Sequence, residues 1–558
     1  MDNSEIARIL YEIADILELQ GVKFKPQAYR KAARSIESLE QSIETYDDYT
    51  TISGVGEAIA KKIDEIVRTG RLEYLEKLRE ETPEGLKELM QLPEIGPKTA
   101  QSLASQGITS ISALEKALER HTLRKMKGFG PKTEENLKRS LELHQFKKER
   151  RLLGRVLPVC RELEKALQPV CEKVVVAGSV RRWKETVGDI DILAISRSPE
   201  QVMDTFTRLA EVRQVLSKGV TRSTVILTNG IQADVRVLSR ESFGSALQYF
   251  TGSKEHNINV RKLAARKGLK LSEYGLFHRK TGERVGGESE EGIYQALGMQ
   301  YIPPELRENR GEIEAAQTNS LPQLVELDNI KGDFHLHTNW SDGSDSIEAM
   351  VARAKALTYE YVGIADHSQS LKIAGGLSPE KLLEQHAVIK EMDDTIEGIT
   401  ILSGVESDIL PDGSLDYPDS ILEQLDFVIA SIHSRFRAPR EEITHRVVEA
   451  LKNSFVTILG HPTGRIIGRR DVLDLDMDRI FEVAAETETA LEINCYPDRL
   501  DLNDIHVRES REYGVTLALG TDAHSMQDLQ YMELGVGTAR RGWASPGSIM
   551  NTERYKPR

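Results

Sequence analysis

The sequence predicts a multidomain chain: a helical front, an α/β sheet domain in the middle and a closed barrel of seven strand–helix units at the end. Three observations carry this. The first 145 or so residues hold short helical segments separated by a recurring glycine turn. Near residue 150 the pattern changes to apolar strands interleaved with helices, and beyond residue 330 short apolar runs ending in polar side chains recur seven times. At 558 residues the chain exceeds one hydrophobic core, and roughly 150 residues per domain gives three or four domains.

Charge divides along the same lines. The net charge is -14, yet residues 1–330 carry 51 Lys+Arg against 49 Asp+Glu and the remainder 23 against 39, which together make the 74 and 88 of the whole chain. Residues 101–300 alone hold 35 basic and 23 acidic side chains, enough to meet phosphates. Cys160, Cys171 and Cys495 form neither a disulfide framework nor a Cys-x-x-Cys site, so a reducing cytoplasm is expected. MDNSEIARILYEIADILELQ reads as an acidic amphipathic helix, not a signal peptide, and no apolar run approaches the ~18 residues of a membrane span.

The helical front contains ISGVGEAIAKKIDEI (52–66), LPEIGPKTAQSL (92–103) and MKGFGPKTEENL (126–137). Each is an apolar residue, a tight turn built on Gly54 and Gly56, on Gly96 (with Glu94 in the first glycine's place) or on Gly128 and Gly130, and then a helix start. This is the layout of a helix-hairpin-helix. Glycine admits a close backbone approach, and the following helix presents unpaired N–H groups to a phosphate. Three copies point to binding a nucleic-acid backbone without sequence preference.

The middle region reads as strands: VVVAGSV, DIDILAI, STVILTNG and ADVRVL. Residues i and i+2 of a strand share a face, so Asp189 and Asp191 project together while Ile190 and Ile192 enter the core. Asp234, on another strand, supplies a third carboxylate. Such a set can hold two Mg²⁺ ions roughly 3.5–4 Å apart, clamping an attacking hydroxyl and a departing pyrophosphate. Gly178 and Ser179 can approach a triphosphate through backbone N–H groups, and Arg182 can neutralise it.

GSVRRWKETVGDIDIL, ADVRVL and YFTGSKEHNINVR (249–261) together resemble the nucleotidyltransferase palm of family X DNA polymerases, whose best-known member is DNA polymerase beta. The resemblance implies that Asp189 and Asp191 bind both catalytic metals, Mg²⁺ or Mn²⁺, and that Asp234 helps deprotonate the primer 3′-OH. Gly178, Ser179, Arg182 and Gly188 are expected at the nucleotide, and the resemblance places Tyr249, Phe250 and Gly252 at the sugar and Asn257 at the minor groove of the base pair. Lys254 stands where the animal enzymes carry an acid. FKPQAYRKAARSIESL and GVGEAIAKKIDEI resemble the family's 5′-phosphate-binding domain, with Lys62 where the lyase nucleophile lies and Tyr29 and Lys25 in support. Ala58 replaces a phosphate-binding lysine, so 5′-phosphate binding is expected ahead of lyase chemistry.

Beyond residue 330 the seven runs are KGDFHLHTNWSD, YVGIADHS, TILSGVESDI, FVIASIHS, VTILGHPTGR, LEINCYP and VTLALGTDAHS. Strand alternating with helix predicts parallel strands closed into a barrel, whose C-terminal strand ends converge on one mouth. There His335, His337, Asp342, His367, Glu406, His433, His461, Asp522 and His524 would meet. Nine N/O ligands exceed one zinc and suit three divalent ions with room for water and substrate. Three carboxylates against six positive charges leave a cationic mouth, which favours a phosphate ester attacked by a metal-activated water. HLHTNWSD through GHP to TDAH resembles the PHP (polymerase and histidinol phosphatase) domain, and with the front half looks like the bacterial and archaeal PolX proteins. The resemblance implies a trinuclear Mn²⁺ or Zn²⁺ site that removes nucleotides from DNA 3′ ends, sometimes with abasic-site incision or 3′-phosphate removal.

The expected domains are 1–85 (5′-phosphate-binding), 86–148 (two further helix-hairpin-helix elements), 149–240 (palm), 241–315 (nucleotide and base-pair subdomain), 316–330 (linker) and 331–558 (barrel). The expected function is a gap-filling DNA polymerase with a 3′–5′ exonuclease, acting on gapped or primed DNA and dNTP as a cytoplasmic monomer without a membrane partner. Two alternatives stand beside it: a PHP nuclease or phosphatase with the front half serving only as a DNA-binding module, and a small-molecule phosphatase, which leaves the helix-hairpin-helix elements unexplained.

Overall fold

A computed structural model describes residues 3–555 apart from 21, 23, 38–42, 44, 45, 47, 53, 70, 91–94, 127, 128, 132, 136, 139, 140 and 142–149. Contacts divide the chain between Glu149 and Arg150 into two compact units.

The first unit is helical. In the helix Asn3–Leu19, Ile6, Leu10, Ile13 and Leu17 repeat at helical spacing and are buried; Ile59, Ile63 and Ile66 do the same in Glu57–Thr69. These faces share one core with Tyr29, Ala32 and Leu75. A second core gathers Leu103, Leu114, Leu123, Phe129 and Leu137. Pro97 opens the helix Pro97–Ala104 directly after Gly96, and Ser110 caps Ile111–Glu119 by accepting from the Ala113 N–H.

The second unit begins with a five-stranded sheet in the order Lys173–Val176, Asp189–Ile195, Gln232–Leu238, Arg222–Leu227, Val212–Lys218. Only its second and third strands run parallel. The helices Leu153–Leu167 and Pro199–Thr207 contribute Leu157, Leu163, Val202 and Phe206 to the core that also takes Ile190 and Ile192. A smaller subdomain follows, with helices Arg240–Thr251 and Lys254–Arg266 and the antiparallel strands Leu269–Ser272, Gly275–His278 and Arg284–Gly286.

The chain ends in seven parallel strands in sequential order: Gly332–Asp333, Tyr361–Ile364, Thr400–Asp408, Phe427–Ser431, Ile458–Leu459, Ala490–Asn494 and Leu517–Gly520. Leu336 pairs with Ala523, and the His337 N–H donates to the Ala523 carbonyl at 2.9 Å, drawing the last strand back to the first. The barrel floor is filled by Phe334, Tyr361, Phe427 and Ile458, with Tyr555 edge-on to Phe334. Function is thereby left to the opposite mouth. Among the described residues, no helix is long and apolar enough to cross a membrane.

Residues 316–330, expected as a linker, are packed instead. Ala316, Leu324, Val325 and Ile330 are buried, and the Val325 N–H donates to the Ala544 carbonyl at 3.0 Å. The polar, proline-containing composition conceals four apolar anchors. Leu500 and Leu534 of the barrel sit in the palm core, and Trp543 sits in the core of the smaller subdomain under Arg508. Palm, subdomain and barrel therefore share apolar cores within one body.

Candidate metal centres

In the palm, Asp191 lies opposite Asp234 across the parallel strand pair, and the two-residue strand repeat puts Asp189 on the same side. Asp191 is pushed up to about 7 by burial and then by Asp189 and Asp234. A carboxylate crowded by two others in this way is relieved by a cation, which is the fit expected of a divalent-metal site. Asp234, 6% exposed, is fixed by partners that the sequence did not suggest. The Thr224 hydroxyl donates to Oδ1 at 2.5 Å, Gln232 Nε2 to Oδ2 at 2.6 Å and Arg222 Nη2 to Oδ1 at 3.2 Å. Thr224 is the antiparallel register partner of Asp234, a relation visible only once the sheet order is known.

Gly178 has φ +65°, and a Cβ there would stand 2.9 Å from Asp191 Oδ2, so the turn can pass the carboxylate only as glycine. Ser179 follows it in the turn Gly178–Arg181, and Gly188 immediately precedes Asp189. Tyr249 and Phe250 stand edge to face at 5.1 Å, with Gly252 at φ +71°.

Two expected nucleotide contacts are engaged within the fold. Arg182, expected to meet a triphosphate, donates from Nε to Glu308 Oε1 at 3.0 Å and from Nη1 to the Thr251 carbonyl, because Glu308 supplies the countercharge in this buried setting. Asn257 is buried, accepting from Gln248 Nε2 and donating to the Tyr249 carbonyl, both at 2.7 Å. Lys254 is exposed at the start of its helix.

In the first unit, Lys62 Nζ lies 4.6 Å from the centre of the Tyr74 ring and donates to the Ala58 carbonyl at 3.4 Å. Tyr29 belongs to the core, and burial, followed by Tyr74, pushes its phenol up to about 12. Lys25 and Ala58 are exposed. At Gly56, Gly96 and Gly130 an added Cβ would meet nothing within 4 Å, so the turns stay open to an approaching backbone; Gly54 packs against the Lys31 side chain. Gly128 lies outside the described residues.

The barrel mouth brings the nine expected side chains together. His337, Asp342, His367 and His524 form one group, His335, His337 and Asp522 a second, and His367, Glu406 and His433 a third, with the ligand atoms of each group within 4.8 Å of one another. His461 joins through Nε2, 2.9 Å from Glu406 Oε1. His335 Nε2, both nitrogens of His337, Glu406 Oε2 and His461 Nδ1 are buried without a hydrogen-bond partner. So many orphaned buried nitrogens and oxygens among side chains gathered at one mouth fit metal ligation.

Residues not anticipated set the histidine orientations. Nδ1–H of His335 donates to Glu492 at 2.6 Å, that of His433 to Asp408 at 2.5 Å, and that of His524 to the Asp522 carbonyl at 2.8 Å. Each bond leaves Nε2 as the ligand atom, facing Glu406 or Asp342. Asp408 could have been found by the i, i+2 rule from Glu406, and Glu492 by its place in the strand LEIN. Burial opposes charge on His433, yet Glu406 and Asp408 lift it to about 9; His337, buried beside His367, falls to about 3. Arg499 lies 3.2 Å from Asp522, and Asn494 donates to the same carboxylate at 3.0 Å. Gly520 admits the His335–Glu492 pair, since a Cβ there would abut Glu492 Oε1 and stand 2.7 Å from the His335 Cβ.

Four family models match parts of the chain. The model for the DNA polymerase beta thumb matches residues 246–308, the helix-hairpin-helix domain 1–72, the SAM-like helix-hairpin-helix tandem 86–142 and the PHP domain 333–495. The chain is 40% identical over 562 residues to the DNA polymerase/3'-5' exonuclease PolX of Bacillus subtilis (strain 168), covering 100% of this chain and 98% of that protein.

The chain belongs to the PolX family.

Other relatives match parts of the chain. DNA polymerase lambda of Rattus norvegicus is 27% identical over 336 residues, 55% of the PolX chain and 56% of its own. A probable phosphatase of Thermoanaerobacter sp. (strain X514) is 31% identical over 175 residues, 30% of the PolX chain and 69% of its own. Asp522 and His524 fall beyond the PHP match, yet the last barrel strand returns them to the mouth.

Proposed function

We propose that this PolX chain divides two reactions between two centres. Nucleotide addition to a primer 3′-OH runs at Asp189, Asp191 and Asp234, and hydrolytic removal of 3′ nucleotides runs at the barrel mouth. The chain is a DNA polymerase with 3′–5′ exonuclease activity, a DNA-binding helix-hairpin-helix region and a dependence on divalent metals. The observation that carries the division is that the palm carboxylates and the histidine-rich mouth are separate, each with its own supporting hydrogen bonds.

Mg²⁺ or Mn²⁺ at the palm, and three Mn²⁺ or Zn²⁺ ions at the mouth, would supply charge that polarises phosphate and acidifies the attacking hydroxyl or water. The chain's own groups do the positioning. Asp234, held by Thr224, Gln232 and Arg222, takes the proton of the primer hydroxyl. The amides of Gly178 and Ser179 hold the triphosphate beside Gly188, and Tyr249, Phe250 and Gly252 wall the sugar. Arg182 contributes its charge from its pair with Glu308, and Asn257 acts by holding the Tyr249 carbonyl. In the barrel, Glu492 and Asp408 keep His335 and His433 oriented, and Arg499 adds positive charge for a scissile phosphate. The substrates are gapped or primed DNA and dNTP, with Lys62 favouring a gap that carries a 5′-phosphate, and the setting is short-gap repair.

The test is one gapped, 5′-phosphorylated duplex assayed for extension and for 3′ degradation. Asp191→Asn should remove extension and keep degradation; the double variant His335→Ala, His337→Ala should do the reverse. Loss of both reactions from either change, with the fold intact, rejects the division.

A further inference from the structure

Where palm, smaller subdomain and barrel meet, a cavity of about 160 Å³ is lined by Lys184 and Trp183 of the palm, Arg310 of the subdomain, and Arg465, Asp504 and Arg541 of the barrel. Neither metal centre contributes a residue to it. Its charge is unbalanced: Lys184, Arg310, Arg465 and Arg541 face only Asp504 and Glu185 on the lining, with Glu308 behind Arg541.

The acids are already engaged. Asp504 accepts from Arg541 Nη2 at 2.6 Å and Arg310 Nη1 at 3.1 Å, Glu185 accepts from Arg465 Nη2 at 2.7 Å, and Glu308 accepts from Arg541 Nη1 and Arg182 Nε, both at 3.0 Å. Two donors remain. Arg465 Nε has no partner although the residue is only 9% exposed, and Lys184 Nζ has none among the described residues. Burial, then Arg541, pushes the Lys184 amine down against the pull of Glu308 and Asp504.

We propose that this cavity binds a phosphate group, held by Lys184, Arg465, Arg310 and Arg541, and that the bound anion ties the three parts together. Guanidinium and ammonium donors converging from different elements are suited to a tetrahedral oxyanion. The space has room for a phosphate with solvent and excludes a duplex. The phosphate belongs either to a free anion or to a nucleic-acid end. Arg541 also donates to the Arg182 carbonyl, so the site touches the segment that carries the Gly178 turn.

The test uses the full chain carrying His335→Ala and His337→Ala, without added divalent metal, so that phosphate at the barrel metals is not counted. Inorganic phosphate and a 5′-phosphorylated single-stranded tetranucleotide are titrated separately by calorimetry, with and without Lys184→Gln. Lys184 is half-buried and unpartnered, so its replacement leaves the fold intact, checked by circular dichroism; Lys184→Arg, which keeps the charge, should bind as the parent does. A threefold or greater loss of affinity for either probe in Lys184→Gln supports the site, and the affected probe tells a free anion from a nucleic-acid end. A smaller loss for both probes, or no binding of either by the parent, overturns it.

Discussion

Arg541, on the last barrel helix Met532–Arg541, donates a 2.7 Å hydrogen bond to the backbone carbonyl of Arg182 in the palm. The same helix sends Leu534, 2% exposed, into the palm core beside Leu153 and Val156. Nuclease barrel and polymerase palm are thus parts of one packed body, and damage at the seam should reach both. Leu534→Ala removes a buried side chain and should cost about 2–5 kcal/mol. Extension and 3′ degradation should then fail at the same lowered temperature in a heat-inactivation series. Loss of one activity well before the other would contradict a shared core.

His256 gives a pH prediction that avoids both metal centres. It is fully buried, its Nδ1–H donating to Glu312 at 2.6 Å and its Nε2 accepting from the Tyr294 hydroxyl at 2.9 Å. Burial pushes its pKa below the ordinary 6.5, against the pull of Glu312. Below about pH 6.5 the unfolded chain therefore binds a proton that the folded chain does not, and stability falls as pH falls. Between pH 8 and pH 5 the wild-type melting temperature should drop more than that of His256→Gln, which has no proton to gain. Equal slopes would mean that His256 titrates alike in both states.

The first unit carries a prediction about DNA ends. Lys62 Nζ is held over Tyr74 near the open turn of Gly56, where one charge-assisted hydrogen bond to a phosphate is worth about 1.5–3 kcal/mol. Lys62→Ala should weaken binding to a 5′-phosphorylated gap by about tenfold to a hundredfold and leave binding to the unphosphorylated gap unchanged. Equal weakening on both substrates would reduce Lys62 to a general backbone contact.

What could be read in the sequence and what could not follow one physical rule. The strand repeat alone put Asp189 and Asp191 on one face, and strand-to-helix alternation alone put nine ligands at one mouth, because periodicity is local. Thr224 and Arg222 beside Asp234, and the pairing of Glu492 with His335 and of Asp408 with His433, depend on which strands are neighbours, and composition does not encode that; Gln232, two residues before Asp234 on one strand, follows the local repeat. Arg182 reads as a triphosphate contact from its place just after the Gly178 turn. Its pairing with Glu308 is a contact between residues far apart in the chain, as is the packing of Val325 that turned an apparent linker into part of the fold.

The same supporting residues make the sharpest test of the barrel. Glu492 accepts from His335 Nδ1 and also from the His461 N–H at 2.6 Å, so one carboxylate orients two metal-site histidines while ligating nothing itself in the groups described. Asp408 does the same for His433. Replacing either by its amide keeps the shape but weakens the acceptor and its hold on the imidazole tautomer. A supporting carboxylate of this kind is worth about 10- to 100-fold in metal affinity or activity. Glu492→Gln and Asp408→Asn should therefore each lower 3′ degradation by that factor and reduce bound metal in elemental analysis, while extension with Mg²⁺ stays at the wild-type rate because Asp189, Asp191 and Asp234 are untouched. Adding Mn²⁺ in excess should recover part of the lost degradation, since the defect lies in metal retention. Full degradation with undiminished metal in both variants would show that the histidines hold their orientation without these carboxylates.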